Sequence, residues 1–254
     1  MYRGKTIGIV IPAYNEELLI SEVIQTMPDF VDRVYVIDDC SADQTYDKAA
    51  SFLSDPRLKI KRHSKNQGVG AAIASGYRLA LEDGMDIIAV MAGDNQMDPS
   101  QLTKLLDPII GGTADYCKGD RMSRPELRTG MSRWRRFGNS ILTRLTRISS
   151  GYRNVQDTQN GYTAISRDTL SRLEPDKIYP GYGYCNDLLT RLHVLGAIVK
   201  DVQIPARYGS ENSKIRYCSF IRRVSLLIIK SFCWRIFREY IYPCFRKIGG
   251  RKND

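Results

Sequence analysis

A chain of 254 residues with 43% hydrophobic content has enough material for one large domain, or a domain with a short appendage, and for a sizeable core. Its six cysteines (Cys40, Cys117, Cys185, Cys218, Cys233 and Cys244) lie far apart with no CxxC pair, and its only histidines are His63 and His193, which argues for reduced thiols and against a disulfide framework or a zinc site. The net charge of +10 is concentrated: from Arg216 onward ten Lys/Arg stand against Glu239 and Asp254, so +8 of it belongs to the tail.

Nothing at the start of the chain resembles a signal peptide, because Met1 to Lys5 leads directly into a strand over Thr6–Ile11 that stops at Pro12. Leu18, Leu19, Val23 and Ile24 then recur at helical spacing within Glu16–Met27. A second strand, Val34–Ile37, ends in Asp38-Asp39, and Ser41 or Asp43 can cap a helix running to about Leu53. Leu58–Lys61 reads as a third strand and Val69–Glu82 as an Ala-rich helix. The fourth strand, Asp86–Met91, leads to Pro99, which suits the first turn of the next helix. Tyr116–Lys118 is a short fifth strand, Met131–Ile148 an arginine-rich helix, Asp157–Ser166 a turn and strand, Cys185–Val194 a helix and Ala197–Val202 a last strand. Ser219 to about Arg246 has the pattern of a long basic amphipathic helix. No run of about 18 apolar residues predicts a membrane span.

Alternating strands and helices predict an α/β fold, with a mainly parallel central sheet and helices on both faces. "PAYNEE", "DDCSADQT" and "GDNQMD" then fall just after strands, and ligands of open α/β sheets bind beyond the carboxyl ends of strands. A dinucleotide-binding dehydrogenase is excluded by the first βα turn, Pro12 to Glu16, which has no glycine; Gly68-Val69-Gly70 lacks a third glycine, and there is no P-loop.

"IPAYNEE", "VIDDCSADQT", "NQGVGAAIASGY" and "GDNQMDP", in this order and spacing, resemble family 2 inverting glycosyltransferases of GT-A fold. "KGDRM", "DTQNGYTAISRDTL", "GYCNDLLTRLHVLGA" and "RYGSENSKI" extend the resemblance to about Ile215, nearest to the branch of dolichyl-phosphate mannose synthases and bacterial polyprenyl-phosphate glycosyltransferases. The division implied is a GT-A domain over 1–215 and a basic amphipathic tail over 216–254.

The resemblance implies that Pro12, Tyr14 and Glu16 border the nucleotide of a UDP- or GDP-sugar, and that Asp38 or Asp39 accepts hydrogen bonds from its base or ribose. Asp39 and Ser41 could instead cap the next helix. Gly68 would let the backbone approach ligand or a neighbouring loop, or simply start the helix. Asp94 and Gln96 are implied as the oxygens that hold Mg²⁺ or Mn²⁺ at the diphosphate, with Asp98 nearby. Ala92 stands where the family commonly has a first acid, which leaves open a weaker metal site or a nucleotide-sugar-binding pseudoenzyme that acts as a scaffold.

Asp187 matches the acid that serves as base when the acceptor is a hydroxyl of a glycan or lipid, and is otherwise a helix cap. A polyprenyl phosphate acceptor is already ionised and calls for cations instead. Residues 121–153 supply nine arginines, no lysine and one acid, Glu126. Of these Arg121 and Arg136 match the acceptor-phosphate side, with Arg207 and Lys214 in a lid-like loop and Asp157 near the reacting sugar. The tail suits peripheral contact with the cytosolic face of a membrane, or packing on the domain with a solvated basic face. No nucleic-acid-binding motif is present to make its charge a nucleic-acid surface.

Overall fold

The computed structural model describes residues 1–128, 131–205, 207 and 217–241. Within them β1 (Ile7–Ala13), β2 (Arg33–Asp38), β3 (Leu58–Arg62), β4 (Ile87–Val90), β5 (Tyr116–Asp120), β6 (Thr163–Ser166) and β7 (Val199–Gln203) form one sheet, ordered β3-β2-β1-β4-β6-β5-β7. Only β6 runs against the rest, pairing antiparallel with β4 and β5. β1 is the centre of the topology: the chain steps outward through β2 and β3, then returns to place β4 on the other side of β1. The reversal leaves a crevice beyond the carboxyl ends of β1 and β4, the place where open α/β sheets take ligands.

Alternation within β1 sorts its side chains between two cores. Ile7, Ile9 and Ile11 join Val34 and Val36 against α1 (Ile20–Gln25) and α4 (Leu102–Ile110). Val10, Tyr35 and Ile37 face α3 (Val69–Glu82), α6 (Arg167–Leu173) and α7 (Tyr184–Val194). α3 lies close on β1 because its inner face is small: a Cβ on Gly76 would stand 2.3 Å from Val10 Cγ1.

α1 begins at Ile20, four residues after the predicted start at Glu16, because a turn comes first in which the Glu16 carbonyl accepts from Leu19 and Ile20. α2 (Thr45–Ala50) ends before Leu53, and Ser41 does not cap it; the Ser41 hydroxyl accepts from the Asn15 amide, while Asp43 accepts from Thr45. α5 (Arg133–Ser150) and α7 pack against α8 (Tyr217–Ile236), which continues through a wide π-turn over Phe237–Ile241; the rest of the predicted tail helix lies outside the described residues. No helix of the described residues is long and apolar enough to cross a membrane.

Candidate active site

The loops after β1 and β2 brace each other. Asn15 donates its backbone N–H to the Ser41 hydroxyl (3.0 Å) and accepts the Ala42 N–H on Oδ1 (2.9 Å), and the Glu16 amide donates to Thr45 Oγ1 (2.7 Å). Asn15, Cys40 and Asn95 are all in the left-handed region, with φ of 54°, 62° and 57°. Such backbone is uncommon outside glycine, and here it recurs after three strands that end at the same crevice. The loop after β4 folds back on β1: Gly93 N–H donates to the Pro12 carbonyl (3.3 Å), and Ala92 N–H to the Met97 sulfur (3.1 Å). Pro12 at the end of β1, and Tyr14, Glu16, Asp94 and Gln96 on the two loops flanking the switch point, are thereby gathered at one edge of the sheet.

Asp98 is occupied otherwise, accepting from Ser100 N–H (2.9 Å) as the cap of the short turn that leads into α4. Among the described residues no three His, Cys, Asp or Glu side chains gather into a metal-binding group. The donor set left by Ala92, one carboxylate from Asp94 and one amide oxygen from Gln96, still fits a hard divalent cation that keeps most of its coordination for phosphate and water.

Asp38 and Asp39 are both buried, and their carboxylates are spent on the protein. Asp38 pairs with Arg62 (3.1 Å) and faces the Ser41 amide. Asp39 accepts from Gln67 N–H (2.9 Å), Gly68 N–H (2.7 Å) and the His63 ring (2.7 Å), whose other nitrogen meets Ser75 Oγ (2.9 Å). In this structure the two acids therefore hold the loops around them. Gly68, at φ 96°, starts α3 and also admits a neighbouring loop, since a Cβ there would stand 2.6 Å from the Pro180 carbonyl. That carbonyl accepts from Gly70 (2.7 Å) and Ala71 (3.1 Å), fixing the 179–183 loop on the amino end of α3.

The same loop carries Tyr182, a residue that sequence reasoning missed. Its phenol is pushed above its ordinary value by burial and by the charges of Glu16 and Asp94, with Tyr14 and Asp39 also in electrostatic reach. Tyr182, which stays half-exposed, thus lies within electrostatic reach of the residues at the switch point. The signal in the sequence is the aromatic and glycine pattern "YPGYGY", which supplies a flexible loop but no position. Asp187 is not a cap: Gly183 holds that place, and Asp187 lies in the first turn of α7. Its Oδ2 accepts from the Tyr179 amide (2.9 Å) and Arg191 Nε (2.7 Å), so it too steadies this loop.

Just after β5, Arg121 donates Nε to Asp157 Oδ2 (2.7 Å) and NH2 to Oδ1 (3.3 Å). Asp157 is fully buried; burial alone would raise its pKa, but the charge and hydrogen bonds of Arg121, with Lys118 behind, hold it below the usual carboxylate range. Enclosed in this way, Asp157 touches Arg121 and positions its guanidinium. Arg136 is half-buried in the first turn of α5, Arg207 reaches Glu22 at 3.9 Å over α1, and Lys214 lies outside the described residues. The predicted acceptor cations are not brought together as one cluster by the residues described.

Asp201 on β7 shares this charged interior. Burial, with Asp120 and Asp157 nearby, pushes its pKa up to about 6, and its buried Oδ1 has no hydrogen-bond partner among the described residues. A carboxyl whose folded pKa is raised favours the fold while protonated; that contribution is complete below about pH 4 and lost as the pH rises through about 6. Between pH 5 and pH 8 the wild type should therefore lose about 1–2 kcal/mol more stability than Asp201→Asn, measured by urea unfolding of both proteins at each pH.

A sheet of this order, with one antiparallel strand and helices on both faces, is an α/β fold known from solved structures. It is shared with glucosyl-3-phosphoglycerate synthase from Mycobacterium tuberculosis, solved with Mn²⁺, UDP-glucose and phosphoglyceric acid (TM-score 0.67, 21% identity, 91% of this chain and 80% of that one). The model described as Glycosyl transferase family 2 matches residues 8–173, and the chain belongs to that family. It is 30% identical over 200 residues to UDP-N-acetylglucosamine–dolichyl-phosphate N-acetylglucosaminyltransferase of Methanococcus voltae, covering 73% of this chain and 79% of the relative. Over 199 residues it is 31% identical to undecaprenyl-phosphate mannosyltransferase of Micrococcus luteus, covering 77% and 81%.

Proposed function

We propose that this glycosyltransferase moves a sugar from a UDP- or GDP-sugar to a polyprenyl phosphate at the cytosolic face of a membrane, with inversion at the anomeric carbon. The convergence of the β1 and β4 loops at the switch point, which brings Tyr14 and Glu16 to the same crevice as Asp94 and Gln96, carries this reading. The names of the two relatives above, both polyprenyl-phosphate sugar transferases, support the acceptor class.

In the reaction an ionised phosphate oxygen of the acceptor attacks C1 of the sugar. A new C1–O bond forms as the bond to the diphosphate breaks, and the nucleoside diphosphate leaves. The braced loops around Pro12, Tyr14 and Glu16 bind and orient the nucleotide, and the loop held by Asp39 and Gly68 closes its side. Asp94 and Gln96 are the residues that would hold Mg²⁺ or Mn²⁺, and such a cation would supply positive charge to the leaving diphosphate. Arg136 and Arg121, whose guanidinium Asp157 positions, are the cations proposed for the acceptor phosphate. Thermal unfolding of the protein with a panel of UDP- and GDP-sugars, with and without Mn²⁺, tests donor binding. Transfer of labelled sugar to undecaprenyl or dolichyl phosphate tests the acceptor, and no transfer to either would reject it.

Asp187 gives one specific ground for a hydroxyl acceptor, since its Oδ1 makes no hydrogen bond with a described residue and could take a proton. Asp187→Asn distinguishes the two. With a phosphate acceptor, kcat should fall less than about tenfold; with a hydroxyl acceptor it should fall about 10²–10⁴-fold, as expected on loss of a general base.

A further inference from the structure

Helices α5 and α8 carry an outer surface that the transferase reading does not use. Along α5, Trp134, Phe137, Ile141, Leu145 and Ile148 recur at helical spacing and are all exposed, Trp134 by 82%. α8 exposes Leu226, Ile229 and Phe232, and Phe237 and Tyr240 follow in the π-turn. The inner side of α8 is buried through Val224, Leu227, Ile228 and Ser231, so the helix is already docked on the domain and its outer side remains apolar. The same two segments, 131–153 and 222–241, hold eleven Lys/Arg against the single acid Glu239. Contiguous apolar surface is rare on a solvated face, and contiguous apolar surface set among cations fits an anionic bilayer better than a neutral or acidic protein groove.

Between α5, α7 and α8 lies a cavity of about 810 Å³ whose lining includes Arg144, Arg147 and Arg153. Ile148, Phe232 and Tyr240 also line it, so both apolar stripes reach its rim. Arg147 is tied to the Val155 carbonyl (2.6 Å) and Gln156 (2.8 Å), and Arg235 to the Ser149 carbonyl (2.9 Å) and Glu239 (2.8 Å). Arg144 and Arg153 make no hydrogen bond or ion pair with any described residue. Glu239, the acid in the lining, is paired with His193 (3.0 Å) and Arg235 (2.8 Å), and the guanidiniums of Arg144 and Arg153 at a cavity with mainly apolar walls match a phosphate that carries hydrocarbon. The cavity lies apart from the residues assigned above to the acceptor: on α7, His193 at the cavity is six residues beyond Asp187, about 9 Å along the helix, and on α5, Arg147 is about 16 Å beyond Arg136.

We propose that this cavity binds the phosphate of an anionic phospholipid headgroup, with the outer faces of α5 and α8 entering the adjoining acyl layer. The site anchors the enzyme to the bilayer and is separate from the acceptor that the enzyme modifies.

Titration calorimetry of the full chain with dihexanoyl phosphatidylglycerol below its micellar limit, dihexanoyl phosphatidylcholine and inorganic phosphate tests the cavity. The phosphatidylglycerol should bind saturably, the other two at least about tenfold more weakly, and Arg144→Ala/Arg153→Ala should weaken phosphatidylglycerol at least about tenfold. No saturable binding, inorganic phosphate as strong as the lipid, or an unchanged double variant overturns the proposal. Flotation with phosphatidylcholine/phosphatidylglycerol vesicles tests the helical faces. Phe137→Ser/Ile141→Ser should lower vesicle binding at least about tenfold while leaving the affinity for the monomeric lipid unchanged; equal flotation rejects the insertion of α5. Circular dichroism and the unfolding midpoint establish that each variant is folded. Neither arm uses a nucleotide sugar, so the result is readable even if the transferase reading fails.

Discussion

Asp94→Ala is expected to lower sugar transfer about 10³-fold while shifting the unfolding midpoint by only a few degrees, measured by a labelled-sugar assay and calorimetry of the same preparations. The size follows from what Asp94 is asked to hold. Cation stabilisation of a leaving diphosphate is worth several kcal/mol in the transition state, and about 4 kcal/mol corresponds to this loss. Ala92 makes the dependence steeper, because it contributes no acid and Asp98 is committed as the cap of the following turn. Within the fold, Asp94 Oδ1 accepts from the Gln96 amide (3.1 Å), a local turn contact whose removal costs about 1 kcal/mol. Asp94→Asn keeps an acceptor for that amide but not the charge. It should therefore be nearly as inactive as the alanine variant, and restored transfer in it would show that turn geometry, rather than charge, is what Asp94 supplies.

How far the sequence reveals this molecule depends on whether a feature is local. Strand periods and the polar runs after them are local, so β1 to β4, and with them the three loops at the crevice, are legible from the order of amino acids alone. The direction of β6 is not, because an alternating strand of four residues reads the same both ways; its antiparallel placement is set by its pairing with β4 and β5. The same limit applies to roles within the site. A pair of acids after a strand looks like a ligand contact, yet whether Asp38 and Asp39 face ligand or protein is decided by Arg62, His63 and the amides of residues 67 and 68, which only the fold brings to them. Asp157 and Arg121 are likewise 36 residues apart in sequence and meet as an ion pair whose acid is buried. Tyr182 is aligned with the crevice by the Pro180 carbonyl on the amino end of α3, a contact allowed by two glycines whose purpose no spacing rule reveals.

The second large effect is expected at Asp39, the point on which that arrangement turns. One oxygen of its carboxylate takes Gln67 N–H and the His63 ring, and the other takes Gly68 N–H. In Asp39→Asn one of these oxygens becomes an NH₂ that faces a donor, so at least one N–H of the 67–68 turn loses its acceptor. Hydrogen bonds to a charged group contribute about 1.5–3 kcal/mol each, and a buried donor left unmatched adds its desolvation cost, so the variant should lose about 3–5 kcal/mol in urea unfolding. This is a large share of the roughly 5–15 kcal/mol that holds a typical domain folded. The catalytic consequence is expected in the fraction that stays folded, because Gly68 starts α3 and the amides of Gly70 and Ala71 hold the loop that carries Tyr182. Loosening that loop should raise KM for the nucleotide sugar more than it lowers kcat. His63→Asn supplies the comparison, since its amide can replace the ring N–H that faces Asp39 but cannot reach Ser75 as well. It should lose no more than about half the stability lost by Asp39→Asn and keep a KM close to wild type. If His63→Asn instead matches Asp39→Asn in both readouts, the histidine, and not the carboxylate, is what holds the loop.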